Sequence, residues 1–137
     1  MTIRDAIAAV VAGRDLSEDE AAATMEEIMT DAATPSQIGA LLTALRMKGE
    51  TTDEIAGMVR QVREVAPDVP IGLFTMIAAG DPDEVAHVSS SLGDGLYSTF
   101  VGEPAKVLDG LRSLEDIGID RVQVSEFVKG SALRLPL

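Results

Sequence analysis

The 137-residue sequence contains no cysteine and no tryptophan, one tyrosine, three phenylalanines and one histidine. Disulfides and thiolate metal centres are thereby excluded. His87 has no second imidazole to share a metal with, and a lone histidine holds one poorly, so no metal is expected. Aromatics make up 3% of the chain and apolar residues 46%. The core must therefore come from Ala, Leu, Ile, Val and Met, which suits helices and buried α/β strands better than a β-sandwich. Basic residues are also scarce, 11 against 23 acidic ones, for a net charge of −12. Both halves share the deficit: residues 1–66 carry 6 basic and 12 acidic side chains, and residues 67–137 carry 5 and 11. A field of that sign repels phosphate backbones and anionic lipid, so neither nucleic acid nor a membrane surface is an expected partner. No signal peptide and no apolar run long enough to span a bilayer is present, and the expected location is cytoplasmic.

The most specific stretch is Thr34–Met58. Thr34 can cap a helix, and Pro35 fits its first turn, where a missing N–H costs nothing. Ile38, Leu41, Leu42 and Leu45 follow at the spacing of a buried helical face. Arg46 and Lys48 stand in the last turn, where the helix dipole favours cations, and Gly49 is the stop. Thr51 and Glu54 then form a capping box, and Ile55, Met58, Val59 and Val62 continue the apolar pattern on a further helix. Upstream, Thr2–Ala12 reads as a helix with Ile3, Ile7, Val10 and Val11 as its stripe. Ser17 with Glu20 opens another, with Met25, Ile28, Met29 and Ala32 inward and Glu18, Asp19, Glu26, Glu27 and Asp31 facing water. Four short helices with tight connections predict a compact α-bundle.

Pro67-Asp68-Val69-Pro70 breaks the pattern and is the expected domain boundary. Ile71–Ala79 is apolar on both faces, as in a strand buried in a parallel sheet. Asp81 caps a helix begun by Pro82, with Val85, Val88 and Leu92 inward. Gly93–Val101 reads as an irregular connection. Gly102-Glu103-Pro104 opens a helix with Val107, Leu108, Leu111, Leu114 and Ile117 inward, stopped by Gly118. Ile119–Val128 reads as a second strand, and Lys129–Leu137 as a loose tail. The expected fold class is α+β, mostly α: a four-helix bundle over residues 1–66, then a small βαβ-type unit over residues 67–137.

The run Ala33-Thr34-Pro35-Ser36-Gln37-Ile38-Gly39-Ala40, then Ala44-Leu45-Arg46-Met47-Lys48-Gly49-Glu50-Thr51, then Glu54-Ile55-Ala56-Gly57, resembles the N-terminal helical domain of the anthranilate phosphoribosyltransferase family, within the glycosyltransferase-3 and nucleoside phosphorylase superfamily. The resemblance covers roughly residues 1–66. It implies a helical domain that contributes a dimer interface. Residues 67–137 resemble the C-terminal end of luciferase-like flavin- and deazaflavin-dependent oxidoreductases. That second likeness lies in Ile71–Gly80, in Val101-Gly102-Glu103-Pro104 and in the Leu111–Val124 helix-to-strand run.

The chemistry implied by either family is thin in this sequence. The phosphoribosyltransferase family uses a Gly-Thr-Gly-Gly-Asp loop for pyrophosphate, a Lys-His-Gly-Asn-Arg segment and an acidic pair for Mg²⁺. None of these runs occurs in the 137 residues. Gly93-Asp94-Gly95 is the nearest fragment and reads as a plain turn. A luciferase-like site sits across several strand ends of a barrel; Gly80, Ser125 and Glu126 alone do not make one. Asp81, Asp83 and Glu84 suit a helix N-terminus electrostatically. Asp19-Glu20 and Glu26-Glu27 read as solvated faces. Ser89-Ser90-Ser91 has no nearby base. Arg46 and Lys48 can either touch an anionic ligand or cap their helix, and capping is the simpler role.

No catalytic residue and no cofactor are therefore expected. The expected function is a non-catalytic helical oligomerisation module or fusion fragment, with a homo-oligomer, a dimer through the helical domain, as the partner. A two-strand sheet with open edges invites pairing as well. The alternative is a partial subunit of an anthranilate phosphoribosyltransferase or of a luciferase-like deazaflavin-dependent oxidoreductase. A chain recombined near Arg63–Pro67 is the third possibility.

Overall fold

A computed structural model of the chain describes residues 1–92 and 96–126. It divides into two compact units, Met1–Ile71 and Gly72–Leu137. The first holds four helices: α1 (Ile3–Val11), α2 (Glu18–Met29), α3 (Pro35–Lys48) and α4 (Thr52–Val65). All four start with a reciprocal capping box, Thr2 with Asp5, Ser17 with Glu20, Thr34 with Gln37 and Thr51 with Glu54. Each box satisfies two backbone N–H groups that have no partner inside the helix. The boxes set where helices begin, so the connections are short. α3 ends at Gly49, whose φ of 89° lets the chain turn without a Cβ penalty.

The helices pack chiefly in two pairs, α1 with α3 and α2 with α4. Ile3, Ala6, Val10, Leu16, Leu41 and Leu45 form the centre of the core, with Ile7, Ile38 and Met58 partly buried around it. Gly57 lets α4 lie directly against α2: a methyl group there would overlap the Glu18 carbonyl. Arg60 clamps the same pair from outside, on Glu18 and Asp19, both at 2.7 Å.

Several residues lie where the spacing does not put them. Leu42 is 56% exposed and Val11 71% exposed. On α2 the fully buried positions are Ala21, Ala22 and Thr24. Met25, Ile28 and Met29 are only half-buried there, and Ala32 lies beyond the helix and is exposed. Small residues win on this helix because α4 approaches so closely. Glu27 is not simply solvated: its Oε2 accepts from the Ile3 N–H at 2.9 Å.

The second unit contains β1 (Gly72–Ala79), α5 (Pro82–Leu92), a 3₁₀ turn at Leu96–Phe100, β2 (Val101–Gly102), α6 (Pro104–Asp116) and β3 (Arg121–Glu126). It is a three-stranded parallel sheet in the order β2-β1-β3. The two-strand βαβ expectation is corrected on this point. β2 is only two residues long, Ala78 with Val101 and Ala79 with Gly102, too short to show a period-2 pattern. Six consecutive pairs, Gly72 with Arg121 through Ile77 with Glu126, join β1 to β3.

Val85 of α5 packs on Ala78 and Val101, while Val107 and Leu114 are the buried anchors of α6. Gly110 brings α6 onto the 3₁₀ turn; a methyl group there would stand 2.8 Å from the Thr99 carbonyl oxygen. β1 is not covered throughout, because Phe74 is 58% exposed. Leu108, expected inward, is exposed too. Gly93–Gly95, Phe127–Val128 and the tail Lys129–Leu137 lie outside the described residues.

Candidate functional site

Two features of the helical unit stand apart from ordinary packing. The first is a buried charge cluster at the α3–α4 turn. Glu54 is 0% exposed and the Lys48 side chain 7% exposed. Lys48 Nζ donates to Glu54 Oε2 at 3.1 Å, to Asp15 Oδ1 at 2.6 Å and to the Gly49 carbonyl at 2.8 Å. Glu54 Oε1 accepts from the Leu16 N–H at 2.9 Å and Oε2 from the Thr51 N–H at 2.8 Å. Burial pulls the Lys48 ammonium down, but Asp15 and Glu54 outweigh it and hold it above the ordinary lysine value.

The two buried charges, Lys48 and Glu54, thus each have several partners, the condition under which a buried ion pair is tolerated. The capping glutamate of α4 has been turned into a tie between the α1–α2 connection and the α3–α4 turn. Lys48 is absorbed into this tie, with its ammonium donating to Asp15, Glu54 and the Gly49 carbonyl at the end of α3. Arg46 stands exposed on the last turn of α3.

The second feature is an apolar groove of about 510 Å³ between α1 and α3, lined by Val10, Val11, Gly39, Ala40, Thr43 and Met47 among others. Met47 is 84% exposed. Ser36, Gly39, Ala40, Thr43 and Met47 recur at helical spacing on the outward side of α3, and all five are exposed and uncharged. Thr43 Oγ1 donates to the Gly39 carbonyl at 2.8 Å, so its hydroxyl is satisfied within the helix. A methyl group at Gly39 would meet nothing within 4 Å. Glycine inside a helix costs about 0.5–1 kcal/mol relative to alanine, and no atom among the described residues demands it here.

The remaining sequence candidates assemble no chemistry among the described residues. Asp81 Oδ1 accepts from the Asp83 N–H at 3.0 Å, a local turn at the start of α5. Gly80 donates its N–H to the Gly102 carbonyl at 3.1 Å, at the carboxyl edge of the sheet. His87 and the three serines 89–91 fall on α5, and Ser125 and Glu126 on β3. Side chains of Glu84, His87, Ser89, Ser91, Ser125 and Glu126 lie outside what is described. Glu20 is held in an ion pair with Arg14 at 2.9 Å, and Glu26 is exposed. No group of three or more metal-ligating side chains exists among the described residues, and none of their helices is long and apolar enough to cross a membrane.

Residues 4–66 match the family model described as glycosyl transferase family, helical bundle domain. The N-terminal unit is a domain of that kind. Proteins named anthranilate phosphoribosyltransferase resemble the chain closely. The one from Chloroflexus aurantiacus (strain J-10-fl) is 67% identical over 87 residues, covering 64% of this chain and 26% of that protein. Those from Roseiflexus sp. (strain RS-1) and Desulfotalea psychrophila are 64% and 47% identical over 95 residues, covering 28% and 26% of those proteins.

The chain thus spans about a quarter of the length of these relatives. An 87-residue match is longer than the Met1–Ile71 unit, so the likeness does not stop near residue 66 but runs into the second unit. The signals that sequence reading missed are the second role of Glu54, which served only as a cap, and the emptiness around Gly39.

Proposed function

We propose that the chain acts through its helical unit as a non-catalytic association module related to that of the anthranilate phosphoribosyltransferases, pairing two copies through the α1–α3 face. The supporting observation is the stripe Ser36–Gly39–Ala40–Thr43–Met47. It is apolar or neutral, exposed, and contains a helix-interior glycine beside which no described residue places an atom. Exposed apolar surface of this kind marks interaction sites. The stripe is also self-complementary. In an antiparallel α3–α3 pair centred on Thr43, residue 43+k faces residue 43−k, so the large Met47 of one copy seats on Gly39 of the other. A two-fold contact of this sort is the commonest way for identical chains to associate. Sedimentation velocity tests it: a dimer is expected at micromolar concentration, and Thr43→Arg is expected to return the chain to monomer while leaving its helical spectrum intact.

A second reading makes the chain a partial subunit of a phosphoribosyltransferase-type assembly in tryptophan biosynthesis. The length of the match to the relatives favours it. Under it, residues 67–137 are the beginning of the next domain rather than the luciferase-like piece suggested by Val101-Gly102-Glu103-Pro104. A thermal-shift assay separates the two origins. Stabilisation by phosphoribosyl pyrophosphate, anthranilate and Mg²⁺ supports the former, and stabilisation by a flavin or deazaflavin supports the latter. No shift with any of them leaves the association module as the working function.

A further inference from the structure

We infer that Arg63 is a latch on the exit from α4. Closed, it folds residues 66–69 back onto the helix and extends the ordered part of the helical unit to Val69. Open, it frees the chain from Ala66 onward.

The geometry starts in the last turn of α4. The helix ends at Val65, and the Ala66 N–H still donates to the Val62 carbonyl at 2.8 Å. A helix end favours a cation there, and Arg63 supplies one, but its guanidinium also reaches past the end of the helix. Nη1 donates to the Pro67 carbonyl at 3.2 Å and to the Val69 carbonyl at 2.9 Å. One nitrogen carrying two hydrogens thus closes on two carbonyls of the segment that follows. The Val69 N–H donates to the Ala66 carbonyl at 3.2 Å. Residues 66–69 therefore form a turn with Pro67 at its second position, where the fixed φ of the ring fits. Pro70 comes next and biases Val69 toward extended backbone.

Pro67, Asp68 and Val69 are all exposed, Val69 at 52%. Burial contributes little to this turn, and polar contacts carry it. Segments held in that way open locally, without unfolding the element to which they are attached. Pro67 narrows the choices of the turn itself but does not tie it to α4. Arg63 makes that tie from the helix. The compact helical unit runs on to Ile71 rather than stopping with α4, as expected of a segment folded back on the helix. Arg63 is not among the residues of the helical core, so its loss lengthens the free stretch after α4 and leaves the bundle in place.

Amide hydrogen exchange on the whole chain, read by NMR, tests the latch at the Val69 N–H. That amide is expected to be protected in the wild type. In Arg63→Met, which keeps a good helix former at the position, it should exchange at least about tenfold faster, the scale of two exposed charge-assisted hydrogen bonds. The Gly49 N–H, bonded to the Leu45 carbonyl at 2.8 Å in the same unit, should keep its rate. Arg63→Lys, which retains the charge without the planar fork, should fall between the two. A Val69 amide unprotected in the wild type overturns the closed turn. Equal protection in wild type and Arg63→Met shows that the turn holds itself and overturns the latch. Equal acceleration at Gly49 and Val69 shows that Arg63 supports the whole unit, and overturns it as well.

Discussion

Glu54 shows how much one side chain is asked to do. It accepts from Leu16 and Thr51 backbone N–H groups, pairs with Lys48, and has no exposure to water. Removing one member of a buried pair strands the other and typically costs about 3–5 kcal/mol. Glu54→Ala is therefore expected to lower unfolding free energy by about that amount, read as a drop in the urea midpoint with an unchanged slope. A loss below about 1 kcal/mol, the range of a solvated pair, would contradict the tie. This role was half-legible: Thr51-Thr52-Asp53-Glu54 spells a capping box, but spacing within one helix says nothing about the Asp15–Leu16 backbone that folds over it. Glu20 makes a milder statement on the surface. The Arg14 guanidinium, together with the Ser17 backbone, holds its carboxyl at about 2, against 4.5 unperturbed. A carboxylate depressed on folding stabilises the native state above its unfolded value and loses that contribution as pH falls through the folded one. Stability is thus expected to decline between about pH 4.5 and pH 2 with a component that Glu20→Gln removes; denaturant titrations at several pH values measure it.

At the scale of elements, the bundle is governed by how closely its helices approach. Gly57 makes the α2–α4 contact possible, since a methyl group there overlaps the Glu18 carbonyl. Overpacking of this kind usually costs about 1–3 kcal/mol, so Gly57→Ala should destabilise the fold despite alanine's better helix propensity. Gly39→Ala is expected to do the reverse. It should raise the melting temperature of the dissociated chain, by roughly 0.5–1 kcal/mol of stability, while weakening self-association. Two glycines in neighbouring helices thus carry opposite signs, and paired thermal melts of the two variants check both.

Element boundaries were plain in the sequence because Thr2, Ser17, Thr34 and Thr51 are caps with their partners three residues on. Inward faces were less plain. Leu42 and Val11 satisfy the helical period yet point outward, because apolar periodicity records every apolar surface, buried or exposed. The short β2 escaped detection because its two residues gain strand character only by lying beside Ala78 and Ala79.

For the molecule as a whole, charge decides where contact is possible. Two chains of net charge −12 repel at long range, and a neutral stripe is where that repulsion opposes approach least. Screening acts within about 8 Å at physiological ionic strength. The proposed pairing should therefore tighten as salt rises from about 0.01 M to 0.15 M, the opposite of a dimer held by surface ion pairs. The measurement that tests the central claim most directly is sedimentation velocity of the chain and of Thr43→Arg, from low to high micromolar concentration in physiological salt. The account predicts a wild-type species of twice 14.4 kDa and a folded, monomeric variant. A wild-type chain that stays monomeric throughout, or a variant that pairs as well as the wild type, would contradict it.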